Sequence, residues 1–92
     1  MSKTPTFSTI HELASGPKFH LACAQIDAVP LRASIQDAID KLVRVKSPAA
    51  NALAAHFQGA LDRTATLRVE AEYHYQLKRI ALALSLVELG DL

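Results

Sequence analysis

The segment "TLRVEAEYHYQL" at residues 66–77 decides the fold, because two periodicities coexist in it. Apolar and polar residues alternate throughout the segment, which is typical of a half-buried β-strand. Val69, Tyr73, Leu77 and Ile80 are also spaced by three or four residues, which is typical of one face of a helix. The two interpretations predict different architectures, so the surrounding sequence has to discriminate between them.

The surrounding sequence favours the helix. A twelve-residue strand would run about 40 Å, well beyond the common length of five or six residues, and no other segment offers a clear pairing partner. The helical spacing continues for three more turns through "RIALALSLVELG" and ends at Gly90, a residue type that commonly follows a helix C-terminus. We therefore predict a helix over 66–89, the longest in the chain, with a strand at about 66–77 in an α+β fold as the alternative.

Composition also indicates a helical fold. Half of the 92 residues are hydrophobic and 21% are charged, as in globular proteins. Tryptophan is absent, so alanine and leucine, two strong helix formers, must build the core. Neither Asn-Gly nor Asp-Gly occurs to form a tight hairpin turn. The prediction is an all-α bundle of four to five helices in a single domain, 9–92, preceded by a polar tether, 1–8.

Proline, glycine and capping residues mark the predicted helix boundaries. Thr9 and Glu12 form a capping box, Ser34 and Asp37 form a capping pair, and Ser47 precedes a proline. An unbroken helix from 48 to 89 would be about 60 Å long, roughly twice the diameter of a chain of this size, so we predict a break between Gly59 and Thr66. The predicted helices are 9–15, 17–29, 34–46, 48–61 and 66–89.

Charge does not favour a nucleic-acid-binding protein. The formal net charge is +1, with six basic and four acidic residues in 1–47 and four basic and five acidic residues in 48–92. Phosphate-binding surfaces normally show a clear basic excess. Lys41, Arg44 and Lys46 do cluster at the predicted end of the third helix, although the helix dipole favours cations there without any ligand. A nucleic-acid-associated regulator that uses this turn is the alternative function.

No residue pattern indicates catalysis or a cofactor. Cys23 is the single cysteine, and His20 lies one helical turn before it. A structural zinc site needs four ligands, and no second pair has matching spacing. The three glycines, at 16, 59 and 90, form no phosphate-binding loop. We predict a buried, unreactive Cys23, no metal or cofactor, and no enzymatic activity.

The carboxy-terminal helix is predicted to be more apolar than a small bundle can cover. The apolar residues of this helix form two stripes on different sides. The helix must therefore be central in the bundle or covered by another subunit. Tyr and Arg, which often anchor interfaces, precede this second stripe. The predicted partner-binding residues are Tyr75, Arg79, Leu82, Leu86 and Leu89.

These features predict a non-enzymatic protein-interaction module. It would act as a small adaptor, regulator or inhibitor that docks on a larger protein assembly, or it would self-associate through its C-terminal helix. The N-terminal "MSKTPTFSTI" lacks the apolar run of a secretory signal, and the longest apolar segment is interrupted by Ser85 and Glu88. We therefore expect a cytoplasmic protein without a membrane partner.

Overall fold

The described part of the chain is helical. The computed structural model describes Ile10, Glu12 and residues 14–92, with Asp91 described by its backbone alone. Four helices are followed by a short 3₁₀ turn, and no described residue lies in a strand. The elements are α1 (Pro17–Ala24), α2 (Arg32–Val45), α3 (Pro48–Thr64), α4 (Glu70–Ser85) and the 3₁₀ turn (Leu89–Asp91). The predicted all-α fold of four to five helices is confirmed.

The strand alternative at 66–77 is wrong, because α4 begins within that segment at Glu70. Val69 is the extended residue that precedes the helix, and Glu70 and Glu72 occupy the first turn, where the helix dipole favours carboxylates. Val69 is 65% exposed, so the apolar members of the alternating pattern do not share a buried face. The buried α4 positions are Leu77, Ile80 and Ala83, which follow the helical spacing.

The C-terminal helix is not the longest helix, contrary to the prediction. It has 16 residues, whereas α3 has 17. The backbone N–H groups of Leu86 and Val87 bond to carbonyls three residues back, and the Ser85 hydroxyl donates to the Leu82 carbonyl at 2.6 Å. These bonds tighten and close the last turn of α4. Gly90 therefore lies in the 3₁₀ turn and is not the residue that terminates α4.

Two further predicted boundaries are wrong near Pro30. Helix α1 ends at Ala24 instead of 29, and α2 begins at Arg32, so Ser34 lies inside the first turn and is not its cap. Pro30 disfavours helical backbone in the residue before it, Val29. The last part of the connection at 25–31 therefore cannot extend α1. The predicted tether at 1–8 and the proposed cap Thr9 lie outside the described residues.

The boundaries of α3 are close to the prediction. Ser47 caps the helix, its side-chain oxygen accepting from the Ala50 N–H at 3.1 Å, and Pro48 is the first helical residue. The predicted break after α3 exists, but it covers 65–69 and not the segment from Gly59. Thr64 is the last residue of α3. Across the described residues, no helix combines the length and apolar content needed to cross a membrane.

Helix α4 is the centre of the bundle. It contacts α1, α2 and α3, and α2 and α3 also pack against each other. Most of its apolar residues beyond the three buried ones are half-buried against the same core. The buried core from the other segments consists of Ile10, Phe19, Cys23, Ile35, Ile39, Leu42, Leu53, Ala54, Phe57 and Leu61.

A buried polar contact joins the start of α2 to the end of α3. Thr64 is 3% exposed, and its hydroxyl donates to the Leu61 carbonyl at 2.6 Å. The Arg32 guanidinium donates to that same carbonyl at 3.2 Å and to the Thr64 hydroxyl oxygen. Arg32 therefore satisfies polar atoms of α3 that would otherwise be buried with fewer partners.

We predict that Arg32→Met lowers the free energy of unfolding by about 1.5–3 kcal/mol, the usual contribution of hydrogen bonds from a charged donor. Methionine keeps an apolar stem over the contact but donates no hydrogen bond. Urea unfolding followed by circular dichroism measures the change. Arg68→Met is the matched control, because Arg68 is exposed and should change stability little. Equal stability of both variants and the wild type would contradict the role of Arg32.

Gly59 lies in the interior of α3, where glycine is less favourable than alanine. A Cβ atom built at this position would come within 3.4 Å of one atom, the Nη1 of Arg63, which is the end of a flexible side chain. We predict that Gly59→Ala raises the free energy of unfolding by about 0.5–1 kcal/mol. The midpoint temperature of thermal unfolding measures this increase in stability. A lower midpoint in the variant would contradict the prediction and would mean that the added methyl group clashes with its surroundings.

Candidate functional site

Tyr75 lies where α4 meets α1. Its hydroxyl oxygen is 2.8 Å from the Nδ1 of His20, and the two rings meet edge to face with centroids 5.4 Å apart. Tyr75 is half-buried and packs against the core, whereas His20 is exposed. The predicted interface tyrosine therefore supports the α1–α4 contact with its ring and presents its hydroxyl at the surface.

Arg79 lies one turn further along α4, beside the residues that precede α1. Its Nε donates to the Ala14 carbonyl oxygen at 3.1 Å. A shallow groove runs between these elements and is lined by Ala14–Pro17, His20, Tyr75 and Arg79. Both predicted anchor residues thus have intramolecular partners at the edge of an open groove.

The predicted apolar residues continue along the same side of α4. Tyr75, Arg79, Leu82 and Leu86 are spaced by four, three and four residues, the spacing of a coiled-coil seam. Leu82 and Leu86 are half-buried against the core. Leu89 would continue the spacing, but α4 ends at Ser85, so Leu89 lies in the 3₁₀ turn with 40% of its surface exposed. We call Tyr75, Arg79, Leu82 and Leu86 the outer α4 seam.

Other apolar residues are more exposed than the seam, and sequence reasoning missed them. Leu31 is 70% exposed and Val69 is 65% exposed, although the helical pattern predicted Val69 on the buried stripe. Leu31 precedes Arg32, and Val69 follows Arg68. Both arginines line one open hollow where α2 begins and α3 ends. Both exposed residues are the extended N-cap residues of their helices, where periodicity does not predict which way a side chain points.

The basic turn lies at the end of α2. Lys41, Arg44 and Lys46 are all exposed, and Lys46 has a positive φ of 57° as the left-handed cap of the helix. Asp37 and Asp40, also exposed, lie about one turn before Lys41 and Arg44 on the same helix. Carboxylates next to the cluster reduce its attraction for phosphates, and the use of this turn for nucleic acid stays a prediction.

Cys23 is a core residue, as the sequence predicts. It is 0% exposed, and burial raises the pKa of its thiol, while the nearby charges of Arg79 and Lys78 act in the opposite direction. His20, one turn earlier, is exposed and contacts Tyr75, so the two residues do not face a common point. Among the described residues, no three His, Cys, Asp or Glu side chains converge as metal ligands.

The raised pKa predicts how stability changes at alkaline pH. Above 9.0, the ordinary pKa of the thiol, the unfolded chain loses this proton while the folded chain keeps it. The unfolded state then binds fewer protons, so the free energy of unfolding falls as pH rises through this range. We expect a steeper alkaline loss in the wild type than in Cys23→Ala, measured by urea unfolding at neutral and alkaline pH. The same change in stability with pH in both proteins would contradict this prediction.

A partly enclosed cavity of about 360 Å³ lies between helices α3 and α4 and the helical residues Ile10 and Ala14, which precede α1. Phe57, Ile80 and Ala83 form part of its apolar wall, and Arg63 and Arg79 border it from α3 and α4. Sequence reasoning did not find this cavity, because Arg63 and Arg79 are 16 positions apart and come together only through helix packing.

Comparison with known proteins assigns no relative. No family model matches the chain, and neither a curated protein nor a solved structure matches it.

Proposed function

We propose that the protein is a non-enzymatic protein-interaction module whose contact surface is the outer α4 seam together with Leu89. The observation that carries this proposal is that Leu82 and Leu86 remain partly exposed although α4 already contacts every other described helix. Among the described elements, no further helix is left to cover this side. A partner helix or surface placed there would remove more apolar area from water.

The chemistry of the seam supports the same proposal. Tyrosine and arginine contribute large contact areas with polar ends, and both are enriched at interfaces. Tyr75 and Arg79 are held by His20 and Ala14, so they would lose little conformational freedom on binding. Apolar leucines next to such preorganised residues form a compact surface for a protein partner.

The proposed partner is a second copy of the chain or a larger protein assembly that the module regulates. Spacing of four, three and four residues suits an opposing helix, and another α4 would present the same seam. The proposed setting is the cytoplasm, as the sequence predicts. Roles as an adaptor or an inhibitor use the same contact and differ only in what the partner does.

We predict that Leu86→Asp abolishes association and leaves a folded monomer. A buried, unpaired carboxylate in the contact should weaken binding by about 30-fold or more, since interface anchors typically contribute at least about 2 kcal/mol. Light scattering over a range of concentrations measures the mass of each variant, and circular dichroism checks the fold. Val43→Asp is the matched control, because Val43 is 52% exposed on α2, away from the seam.

A wild-type monomer at all concentrations would exclude self-association and leave a different protein as partner. A photo-crosslinking amino acid at position 86, expressed in the source cells, should then give discrete crosslinked species that the same group at position 43 does not give. Identical crosslinking at both positions, or unfolding of Leu86→Asp and of the milder Leu86→Ala, would contradict the proposal. Either result would make Leu86 a structural residue.

A further inference from the structure

The cavity between Ile10, Ala14, α3 and α4 is a second candidate site, which shares only Arg79 with the outer α4 seam. Its accessible apolar lining comes from Ala14, Ala60 and Leu67, which are half-buried, above a buried floor that includes Phe57 and Ile80. Its volume of about 360 Å³ is near the lower end of the usual range for small-molecule sites, about 300–1,000 Å³. Apolar walls of this size suit a compact ligand.

The charges around this cavity are of one sign. Arg63 and Arg79 line it, and none of the described lining residues is acidic. Neither arginine forms an ion pair with a described carboxylate. The nearby carboxylate of Asp62 accepts from Gln58 at 3.0 Å, and that of Glu72 accepts from the Gln76 amide at 3.0 Å. Among the described side chains, the two guanidinium groups therefore have no negative partner.

Each arginine has donors left for a ligand. Arg79 uses its Nε on the Ala14 carbonyl, and its two terminal nitrogens make no other hydrogen bond to a described residue. Arg63 extends back along α3 toward Gly59, and its side chain makes no hydrogen bond or ion pair to a described residue. A guanidinium presents paired N–H groups that match the two oxygens of a carboxylate.

We propose that this cavity binds an organic carboxylate with a compact apolar body. The body would contact Ala14, Ala60 and Leu67. The carboxylate would accept hydrogen bonds from Arg63 and Arg79. Partial enclosure strengthens these charged contacts, because the effective dielectric constant is lower than in open water. A free small acid and the C-terminus of a peptide that ends in an apolar residue share this chemistry.

Benzoate and hexanoate are suitable probes, with acetate and benzyl alcohol as controls that lack the apolar body or the charge. In ¹H–¹⁵N NMR titrations of the full chain, the two acids should give saturable shifts at the amides of cavity residues such as Ala60, Gln76 and Ile80. Both controls should bind at least about tenfold more weakly, because benzyl alcohol forms no charged hydrogen bond and acetate buries no apolar body.

Arg63→Gln provides the decisive variant, because Arg63 is exposed and its loss should leave the fold intact. We expect affinity for benzoate to fall about tenfold or more, with partial recovery in Arg63→Lys. Lys41→Gln removes an equal charge from exposed α2 surface away from the cavity and should leave affinity unchanged. Arg79→Gln should weaken binding too, but it also removes the bond to Ala14.

The proposal is overturned if neither acid gives saturable shifts, if benzyl alcohol binds as well as benzoate, or if Arg63→Gln binds like the wild type. Gly-Gly-Leu with a free C-terminus identifies the natural source: binding tighter than benzoate indicates a chain terminus, and weaker binding indicates a free acid. Leu86→Asp should bind benzoate normally, so failure of this site and failure of the proposed interaction surface are distinguishable.

Discussion

The structure depends on the burial of one face of α4 against the three other helices. Leu77, Ile80 and Ala83 supply that face, and each is at least nine-tenths buried. Because a chain of this length buries a limited fraction of its surface, one central helix that contacts the three other described helices is an efficient way to build a core. The other helices are positioned so that they cover this face of α4.

Side-chain hydrogen bonds then hold the helices in place around α4. Arg32 joins the start of α2 to the end of α3, Arg79 reaches the residues before α1, and the Tyr75 hydroxyl contacts His20. Each bond joins residues at least 29 positions apart in the sequence. The apolar core provides most of the stabilisation, and these bonds specify how the helices are oriented.

The two proposed sites use different sides of α4 and meet at Arg79. Its Nε contacts Ala14 beside the open groove, while the side chain also borders the cavity with Arg63. One side of the helix thus carries partly exposed apolar and aromatic residues, and the other combines apolar lining with positive charge. Sequence reasoning found the first set because its members share one helix, and it missed the cavity because its members come from three segments.

The sequence by itself determined the helical class, the Ser47-Pro48 start of α3 and the burial of Cys23. These features depend on local propensity, on proline geometry and on a periodic apolar pattern, all of which can be read from neighbouring residues. Tertiary structure decided the early end of α4, the exposure of Val69 and the pairing of Arg63 with Arg79 around one cavity. Those features depend on which surfaces the packed helices leave uncovered. Segments that are distant in the sequence determine those surfaces jointly.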